Sequence, residues 1–163
     1  MSTLWRPAYV AIGSNLQHPR DRVLEAMQRL AALGAPDSLL RSRLYLSRPM
    51  GPQDQPDYIN AAAGLLTQSS PQELLARLLD IERGMGRNRR ERWGPRVIDL
   101  DLAWMVDAPV DEPGLKVPHP GVSIRNFVLY PLADIAPTIT IPGMGTVLDL
   151  KRSVGGDGIS ILE

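Results

Sequence analysis

The sequence predicts an α+β fold in which strands and helices follow one another in the order β-α-β-β-α-β. Three observations support this order: an uninterrupted apolar run at 8–12, two segments with apolar residues at helical spacing, and strict apolar alternation after Pro95. The 163 residues are enough for one domain that buries roughly two-thirds of its unfolded surface. We therefore expect residues 1–163 to form a single domain.

The first strand and the first helix are predicted over 8–12 and 19–33. An unbroken apolar run is typical of a strand that is covered on both faces. In the following segment the apolar residues with helical spacing are Val23, Leu24, Met27, Leu30 and Ala31. Pro19 suits the first turn of this helix, and Gly34 suits its end.

The middle of the chain predicts two strands and the second helix. Residues 38–47 interleave leucine and tyrosine with arginine, and 57–68 are largely apolar, so both segments read as strands. The intervening residues 48–56 are too rich in proline for a regular element. Ser70 and Glu73 form a predicted capping box with Pro71 between them, and the helix that follows ends near Gly84.

The last strand of the predicted core begins after Pro95, where Asp99 and Asp101 alternate with apolar residues. The six elements match the ferredoxin-like split β-α-β arrangement: a mostly antiparallel sheet with helices on one face, here with C-terminal additions. Residues 107–118 are predicted to be turn-rich, and 123–133 to form a short helix that Pro131 ends. We expect the glycine-rich tail 155–163 to fray.

Composition excludes several classes of function. The chain has no cysteine, which excludes thiol catalysis, cysteine-based metal sites and iron–sulfur chemistry. Its 18 basic and 18 acidic residues balance, so no global positive field attracts nucleic acid. No apolar run approaches the roughly 18 residues of a membrane span, and residues 1–9 have no long apolar core behind a basic start. We expect a cytoplasmic protein.

Residues 87–101 carry the chemistry that the sequence indicates most strongly. This stretch begins with a run of arginines, Arg87, Arg89, Arg90, Arg92 and Arg96, and ends with two carboxylates. Clustered guanidinium groups match phosphate oxygens and repel one another without an anion. Asp99 and Asp101 share one face of the strand, and their α-carbons are roughly 6.6 Å apart. Their carboxylates are close enough to converge on hard cations such as Mg²⁺. Together the two features predict a nucleoside-triphosphate site.

Each feature also has a simpler interpretation. Alternating acidic and apolar residues usually mean a strand with one solvated face, and arginine-rich loops are usually only solvated. An RNA-binding module on the same frame is an alternative, although it should carry exposed stacking aromatics. A P-loop kinase is disfavoured because the chain lacks the Gly-x-x-x-x-Gly-Lys-Ser/Thr loop. A two-metal phosphodiesterase usually has more carboxylate or histidine ligands.

The chain resembles the 6-hydroxymethyl-7,8-dihydropterin pyrophosphokinase family of folate biosynthesis over most of its length. The resemblance rests on four motifs in order: Ala-Ile-Gly-Ser-Asn-Leu at 11–16, Gly-Pro-Gln-Asp-Gln-Pro-Asp-Tyr-Ile-Asn-Ala at 51–61, Arg-Trp-Gly-Pro-Arg-Val-Ile-Asp-Leu-Asp at 92–101 and Val-Pro-His-Pro at 117–120. It implies an enzyme that transfers pyrophosphate from ATP to the pterin alcohol, without nucleic-acid or membrane partners. Gly121 departs from the family, in which many members carry a basic residue there. We expect a monomer.

The resemblance also implies the roles of individual residues. Asp99 and Asp101 look like the ligands of two Mg²⁺ ions, and the catalytic set they form includes Arg87 and Arg96. The residues that resemble ATP contacts are Arg89, Arg92, Trp93, Ile98, His119 and Arg125. The residues that resemble pterin contacts are Ser47, Pro49, Met50, Tyr58, Asn60 and Phe127. Among these, Tyr58 and Phe127 look like aromatic walls of the ring, and Asn60 like the partner of its polar edge.

Overall fold

The computed structural model describes residues 4–49, 51, 53–86 and 97–163. The helices are α1 (Pro19–Ala31), α2 (Pro71–Gly84), α3 (Asn126–Ile135) and α4 (Val147–Val154). The strands are β1 (Arg6–Ser14), β2 (Leu40–Arg41), β3 (Tyr45–Ser47), β4 (Tyr58–Thr67), β5 (Asp99–Met105), β6 (Val110–Glu112), β7 (Leu115–Val117), β8 (Thr140–Ile141), β9 (Gly145–Thr146) and β10 (Ile159–Ile161).

The main sheet has six strands in the order β10-β3-β4-β1-β5, with β2 pairing separately with β4. Every pairing in this sheet is antiparallel, and the longest register runs between β1 and β4 from Arg6↔Thr67 to Ser14↔Ile59. Each helical crossover skips a strand, because β4 separates β1 from β3 and β1 separates β4 from β5. This is the predicted split β-α-β arrangement, and the predicted fold class is confirmed.

Helices cover both faces of the sheet. A Cβ placed on Gly34, just beyond α1, would lie 3.0 Å from the Cβ of Leu65. A Cβ placed on Gly64 would instead meet Tyr9 and Ile135 of α3. Neighbouring residues of a strand point to opposite faces, so α1 and α3 lie on opposite sides of the sheet. The helices of the core and the C-terminal addition thus bury the two faces separately.

Helix α2 begins as its sequence predicts. The Ser70 hydroxyl accepts a hydrogen bond from the Glu73 backbone N–H at 3.1 Å, and the Glu73 carboxylate accepts one from the Ser70 N–H at 3.3 Å. These reciprocal bonds satisfy donors that the start of a helix leaves without partners. Helix α2 packs on β5, the strand that carries the two aspartates.

The continuous strand predicted over 38–47 is wrong, because Ser42 interrupts it. The Ser42 N–H donates to the Ala62 carbonyl at 3.0 Å, but the Ala62 N–H donates to the Ser42 hydroxyl at 2.8 Å and not to a backbone carbonyl. Serine hydroxyls compete with backbone groups in this way. The segment therefore divides into β2 and β3.

The prediction that Pro131 ends the helix beginning near 123 is also wrong. Helix α3 runs from Asn126 to Ile135 with Pro131 inside it. The residues around the proline, Val128, Leu129 and Leu132, are buried against the sheet. Burial of an apolar face outweighs the loss of one backbone hydrogen bond.

The tail does not fray as predicted. Residues 159–161 form β10, which pairs with β3 from Ile159↔Ser47 to Ile161↔Tyr45. Beyond this strand, the Leu44 N–H donates to the Glu163 carbonyl at 2.7 Å, and Arg20 forms an ion pair with Glu163. The sequence does not predict this strand because the residues before it are rich in glycine. The strand forms because the open edge of β3 provides a partner for it. Within the described residues, no helix combines the length and the apolar character that crossing a membrane requires.

Candidate active site

One face of the sheet brings the predicted acidic and polar residues together. The register of β5, β1 and β4 places Asp99 opposite Gly13, and Gly13 opposite Asn60. The next row joins Asp101 to Ala11 and Ala62. Strands lie about 4.8 Å apart, so the backbone of Asn60 is roughly 10 Å from that of Asp99 on the same face. The two ends of this row can therefore contact one extended ligand.

Small side chains form the floor between these two ends. A Cβ on Gly13 would lie 3.4 Å from the Asn60 Oδ1 and 3.5 Å from the Tyr58 ring. The absence of that Cβ leaves space in which a flat molecule can lie beside both side chains. Ala11 and Ala62 continue the shallow floor toward Asp101.

Asn60 is fixed by a side chain of the neighbouring strand. Its Nδ2 donates to the Ser47 Oγ at 2.6 Å, and both residues are buried. This bond uses one of the two amide hydrogens of Asn60. The amide oxygen can accept a hydrogen bond from a ligand, and the second amide hydrogen can donate one. Strands β3 and β4 thus orient an amide suited to the polar edge of a heterocycle.

The start of α3 brings Arg125 and Phe127 to the same region. The guanidinium carbon of Arg125 lies 5.9 Å from the centroid of the Phe127 ring. Both residues line a cavity of about 260 Å³ together with Ser47 and Arg48. Within the described part of the chain, the buried Nε of Arg125 has no hydrogen-bond acceptor. A buried cationic donor of this kind suits an anionic ligand.

Gly121 makes room for the Arg125 side chain. A Cβ at this position would lie 2.6 Å from the Arg125 Nε and 2.7 Å from its guanidinium carbon. The Gly121 N–H also donates to the His119 Nδ1 at 3.0 Å. The departure of Gly121 from the family pattern is therefore accompanied by a close fit to Arg125.

Besides burial, the charges of Arg125 and Asp99 act on the pKa of His119, in opposite directions. Burial lowers the pKa of His119 below its ordinary value, Arg125 lowers it further, and Asp99 opposes the shift. The His119 backbone N–H donates to the Ala103 carbonyl at 2.9 Å, which ties this loop to β5. Because Nδ1 accepts the Gly121 N–H, the neutral ring carries its proton on Nε2.

Three polar residues with hydrogen bonds near the site were not predicted from the sequence. Glu82 of α2 is buried, and its Oε2 accepts the Leu100 backbone N–H at 2.7 Å, between the two aspartates of β5. Asn15 donates to the Gln55 Oε1 and to the Pro56 carbonyl, each at 2.9 Å, and so joins the end of β1 to the loop before β4. The third, Asn126, contacts the tail. A carboxylate in the apolar stripe of α2 was the available signal for Glu82.

The acidic pair fits a cation that takes part of its coordination from substrate. Within the described ranges, no group of three or more histidine, cysteine or acidic side chains could hold a metal ion. Asp99 and Asp101 could therefore supply two carboxylates, and the described residues place no third histidine, cysteine or acidic side chain in a group with them. Mg²⁺ binds nucleotide sites in this way, through one or two carboxylates, substrate phosphates and water.

The remaining predicted residues are placed as follows. Ile98 is fully buried. Pro49 is buried, and its carbonyl accepts a hydrogen bond from the Gln53 Nε2 at 2.8 Å. The predicted residues that lie outside the described ranges are Met50, Arg87, Arg89, Arg92, Trp93 and Arg96.

Comparison with known proteins gives one consistent family. The model of the 7,8-dihydro-6-hydroxymethylpterin-pyrophosphokinase (HPPK) family matches residues 9–137. A 2-amino-4-hydroxy-6-hydroxymethyldihydropteridine pyrophosphokinase of Pseudomonas aeruginosa is 42% identical over 154 residues, covering 94% of this chain and 95% of the relative. The protein of the same name from Haemophilus influenzae is 38% identical over 145 residues, covering 89% of this chain and 91% of its own.

Solved structures agree at the level of the fold. Wild-type HPPK-DHPS of Plasmodium falciparum, solved with pteroate, matches with a TM-score of 0.71 at 14% identity. The match covers 94% of this chain but only 43% of the longer HPPK-DHPS chain. The family model, the two bacterial relatives and the sheet face described above point the same way, and the chain belongs to the 7,8-dihydro-6-hydroxymethylpterin-pyrophosphokinase family.

Proposed function

We propose that this chain transfers pyrophosphate from ATP to the hydroxymethyl group of 6-hydroxymethyl-7,8-dihydropterin, in tetrahydrofolate biosynthesis. The products are AMP and the pterin diphosphate. One observation carries the proposal: a single sheet face presents Asp99 and Asp101 at one end and the oriented amide of Asn60 at the other. The glycine and alanine floor between them leaves space for one substrate to approach the other.

At the acidic end, Asp99 and Asp101 would hold two Mg²⁺ ions together with the triphosphate. When bound, such ions neutralise charge on the entering and leaving oxygens of a displacement at phosphorus. The side chains of this chain contribute alignment, because phosphoryl-type transfer depends mainly on position and on charge. No covalent intermediate on the protein is needed.

The cationic residues bind the phosphate oxygens. Arg125 contributes a guanidinium whose Nε is buried without an acceptor among the described residues, and His119 with its lowered pKa is neutral at neutral pH and can donate through Nε2. Arg87 and Arg96 join them as catalytic residues. We assign further ATP contacts to Arg89, Arg92, Trp93 and Ile98.

At the opposite end, Asn60 binds the polar edge of the pterin with its acceptor oxygen and its second amide hydrogen. Tyr58 and Phe127 flank the ring, because flat heterocycles stack favourably on aromatic side chains. Ser47, Pro49 and Met50 complete the edge, chiefly through backbone groups. Residues 1–163 would act as one catalytic domain, as a monomer, in the cytoplasm.

The RNA-binding alternative has no support. Two carboxylates on the sheet face would repel a phosphate backbone, and α3 packs over part of that face. The family comparison instead supports a pyrophosphokinase.

Product analysis tests the proposal. The protein is incubated with Mg²⁺, ATP and reduced hydroxymethylpterin, and nucleotides and pterins are separated by chromatography. We expect AMP and pterin diphosphate in equal amounts, and neither without the pterin. Formation of ADP would exclude transfer of two phosphates, and AMP release that does not depend on the pterin would show hydrolysis. The doubly substituted Asp99→Asn, Asp101→Asn protein serves as the inactive control.

A further inference from the structure

The C-terminal segment 155–161 is held on one side by helix α3. Asn126, the first residue of this helix, donates from Nδ2 to the Asp157 carbonyl at 2.8 Å and to the Gly155 carbonyl at 3.2 Å. Both acceptors are backbone atoms, so the amide of Asn126 fixes the path of the segment and not one of its side chains. Asn126 stands between Arg125 and Phe127 in the chain, and the bonds therefore also fix the first turn of α3.

The other side of the segment is bonded to the strand that orients Asn60. Strand β10 pairs with β3 so that Ile159 faces Ser47, and the Arg48 N–H donates to the Gly158 carbonyl at 3.3 Å. Gly158 has φ +74°, and a Cβ there would lie 2.7 Å from an Arg48 guanidinium nitrogen. A side chain at Gly158 would meet both the backbone strain and the arginine.

A close contact with Tyr130 fixes the middle of the segment. A Cβ on Gly156 would lie 2.8 Å from the Tyr130 hydroxyl oxygen. The Tyr130 ring packs edge-on against Tyr45 with centroids 6.3 Å apart, and the Lys151 Nζ lies 4.6 Å from its centroid. The segment thus fits between α3 and the sheet.

The segment is also a wall of the cavity at the site. The cavity of about 260 Å³ is bounded by Ser47 and Arg48 of the sheet side, by Asn126 and Phe127 of α3, and by 157–158 of the segment. Ser47 is the partner of Asn60, and Phe127 is an assigned aromatic wall. The segment consequently links the two halves of the pterin site, in addition to the direct packing of α3 on β4.

We propose that segment 155–161 is a structural wall of the pterin-binding site and that Asn126 is the positioning residue that holds it there. This inference rests on the proposed function for the identity of the ligand. Loss of the two Asn126 bonds lets the start of α3 and the segment separate, which displaces Phe127 from the Ser47–Asn60 edge. The affinity for the pterin should fall, whereas ATP binding at the acidic end of the site on β5 should be unaffected.

Steady-state kinetics and pterin binding test the inference. The variants are Asn126→Ala, and the nearly isosteric Asn126→Asp, which keeps the volume but cannot donate to the two carbonyls. We expect the KM and Kd for the pterin to rise about tenfold, the effect of losing two hydrogen bonds, with the KM for ATP changed less than about twofold. Asn126→Gln, which keeps the amide on a longer arm, should recover part of the loss.

Glu163→Gln is the matched control, because it breaks the ion pair of the tail with Arg20 at a distance from the cavity. It should leave both KM values unchanged. Equal increases in both KM values with a lowered unfolding midpoint would show a merely structural bond and overturn the inference, as would unchanged kinetics. A wild-type protein that makes no AMP overturns the proposed function and the ligand named here. Active wild type with unaffected Asn126 variants overturns the positioning role alone.

Discussion

The two ends of the site differ in how the protein holds their side chains. Asp99 and Asp101 stand on β5, where the backbone ladder with β1 aims alternate residues at one face. Arg125 and Phe127 belong to the start of α3, where side-chain hydrogen bonds and close glycine contacts provide the position. A strand aims its residues by its own geometry, whereas a helix start depends on what it is tied to. At the β5 end, substitution of a side chain should therefore change catalysis without changing the position of its neighbours. At the α3 end, one substitution should affect both.

The largest effect is expected from the aspartates. Asp99→Ala or Asp101→Ala removes a carboxylate from the acidic end, and kcat should fall on the order of 1,000-fold or more, as when preorganised charge is lost from other enzymes. The unfolding midpoint should change little, since the ladder and not the carboxylate holds β5. Asp111→Asn on β6 is the charge-matched control: it removes an exposed ion pair with Lys116 of β7 and should retain full activity. A loss of activity in Asp111→Asn as large as that in the Asp99 or Asp101 variants would show that the effect is not specific to the acidic end of the site.

The next effect concerns a position of β5 that a side chain of α2 supports. Glu82→Ala leaves the buried Leu100 N–H without its acceptor, which should cost about 1–3 kcal/mol of unfolding free energy in urea titrations. Glu82→Gln should cost less because the amide oxygen can still accept. If Glu82→Ala unfolds at the same urea concentration as the wild type, β5 needs no support from α2.

A smaller effect is expected at Gly121. Gly121→Ala places a methyl group against the Arg125 guanidinium, which must move, and the KM for ATP should rise about tenfold. Stability should be nearly unchanged, because the displaced group is the end of a flexible side chain. A double-mutant cycle decides the cause: Gly121→Ala should have no further effect on ATP binding in the Arg125→Ala background. Additive losses would mean that Gly121 acts independently of Arg125.

The smallest effect is a pH dependence at a direct side-chain contact between α3 and β3. Asp134 of α3 accepts hydrogen bonds from Arg43 and Tyr45; burial opposes its ionisation, but these bonds lower its pKa below the ordinary 3.8. Its stabilising contribution is present above the unfolded pKa and is lost as pH falls through the lower folded value.

Thermal unfolding across acid pH measures this contribution. Asp134→Asn should be less stable than the wild type at pH 7, and the difference should shrink below about pH 4, where the carboxylate of the unfolded chain takes up a proton before that of the folded protein does. A difference that stays constant over the whole range would assign the loss to packing and not to charge.

The parts of the fold that the sequence predicts are those governed by local periodicity. The two aspartates, the capping box of Ser70 and the order of the core elements all follow from residues close together in the chain. The features that were not predicted depend on distant partners: Ser42 interrupts its strand by bonding to β4, Pro131 is tolerated because α3 is buried, and β10 needs the edge of β3. Glu82 and Asn126 were missed for the same reason, since their partners are backbone groups that only the fold brings near.

A crystal structure with Mg²⁺, a non-hydrolysable ATP analogue and the hydroxymethylpterin tests most directly whether one sheet face unites both substrates. We expect cations at about 2.0–2.1 Å from carboxylate oxygens of Asp99 and Asp101, the distance typical of Mg²⁺. The pterin should lie over Gly13 with its polar edge at Asn60, and its hydroxyl oxygen should face the β-phosphorus. A triphosphate bound away from β5, or a pterin bound away from Asn60, would contradict the proposed site.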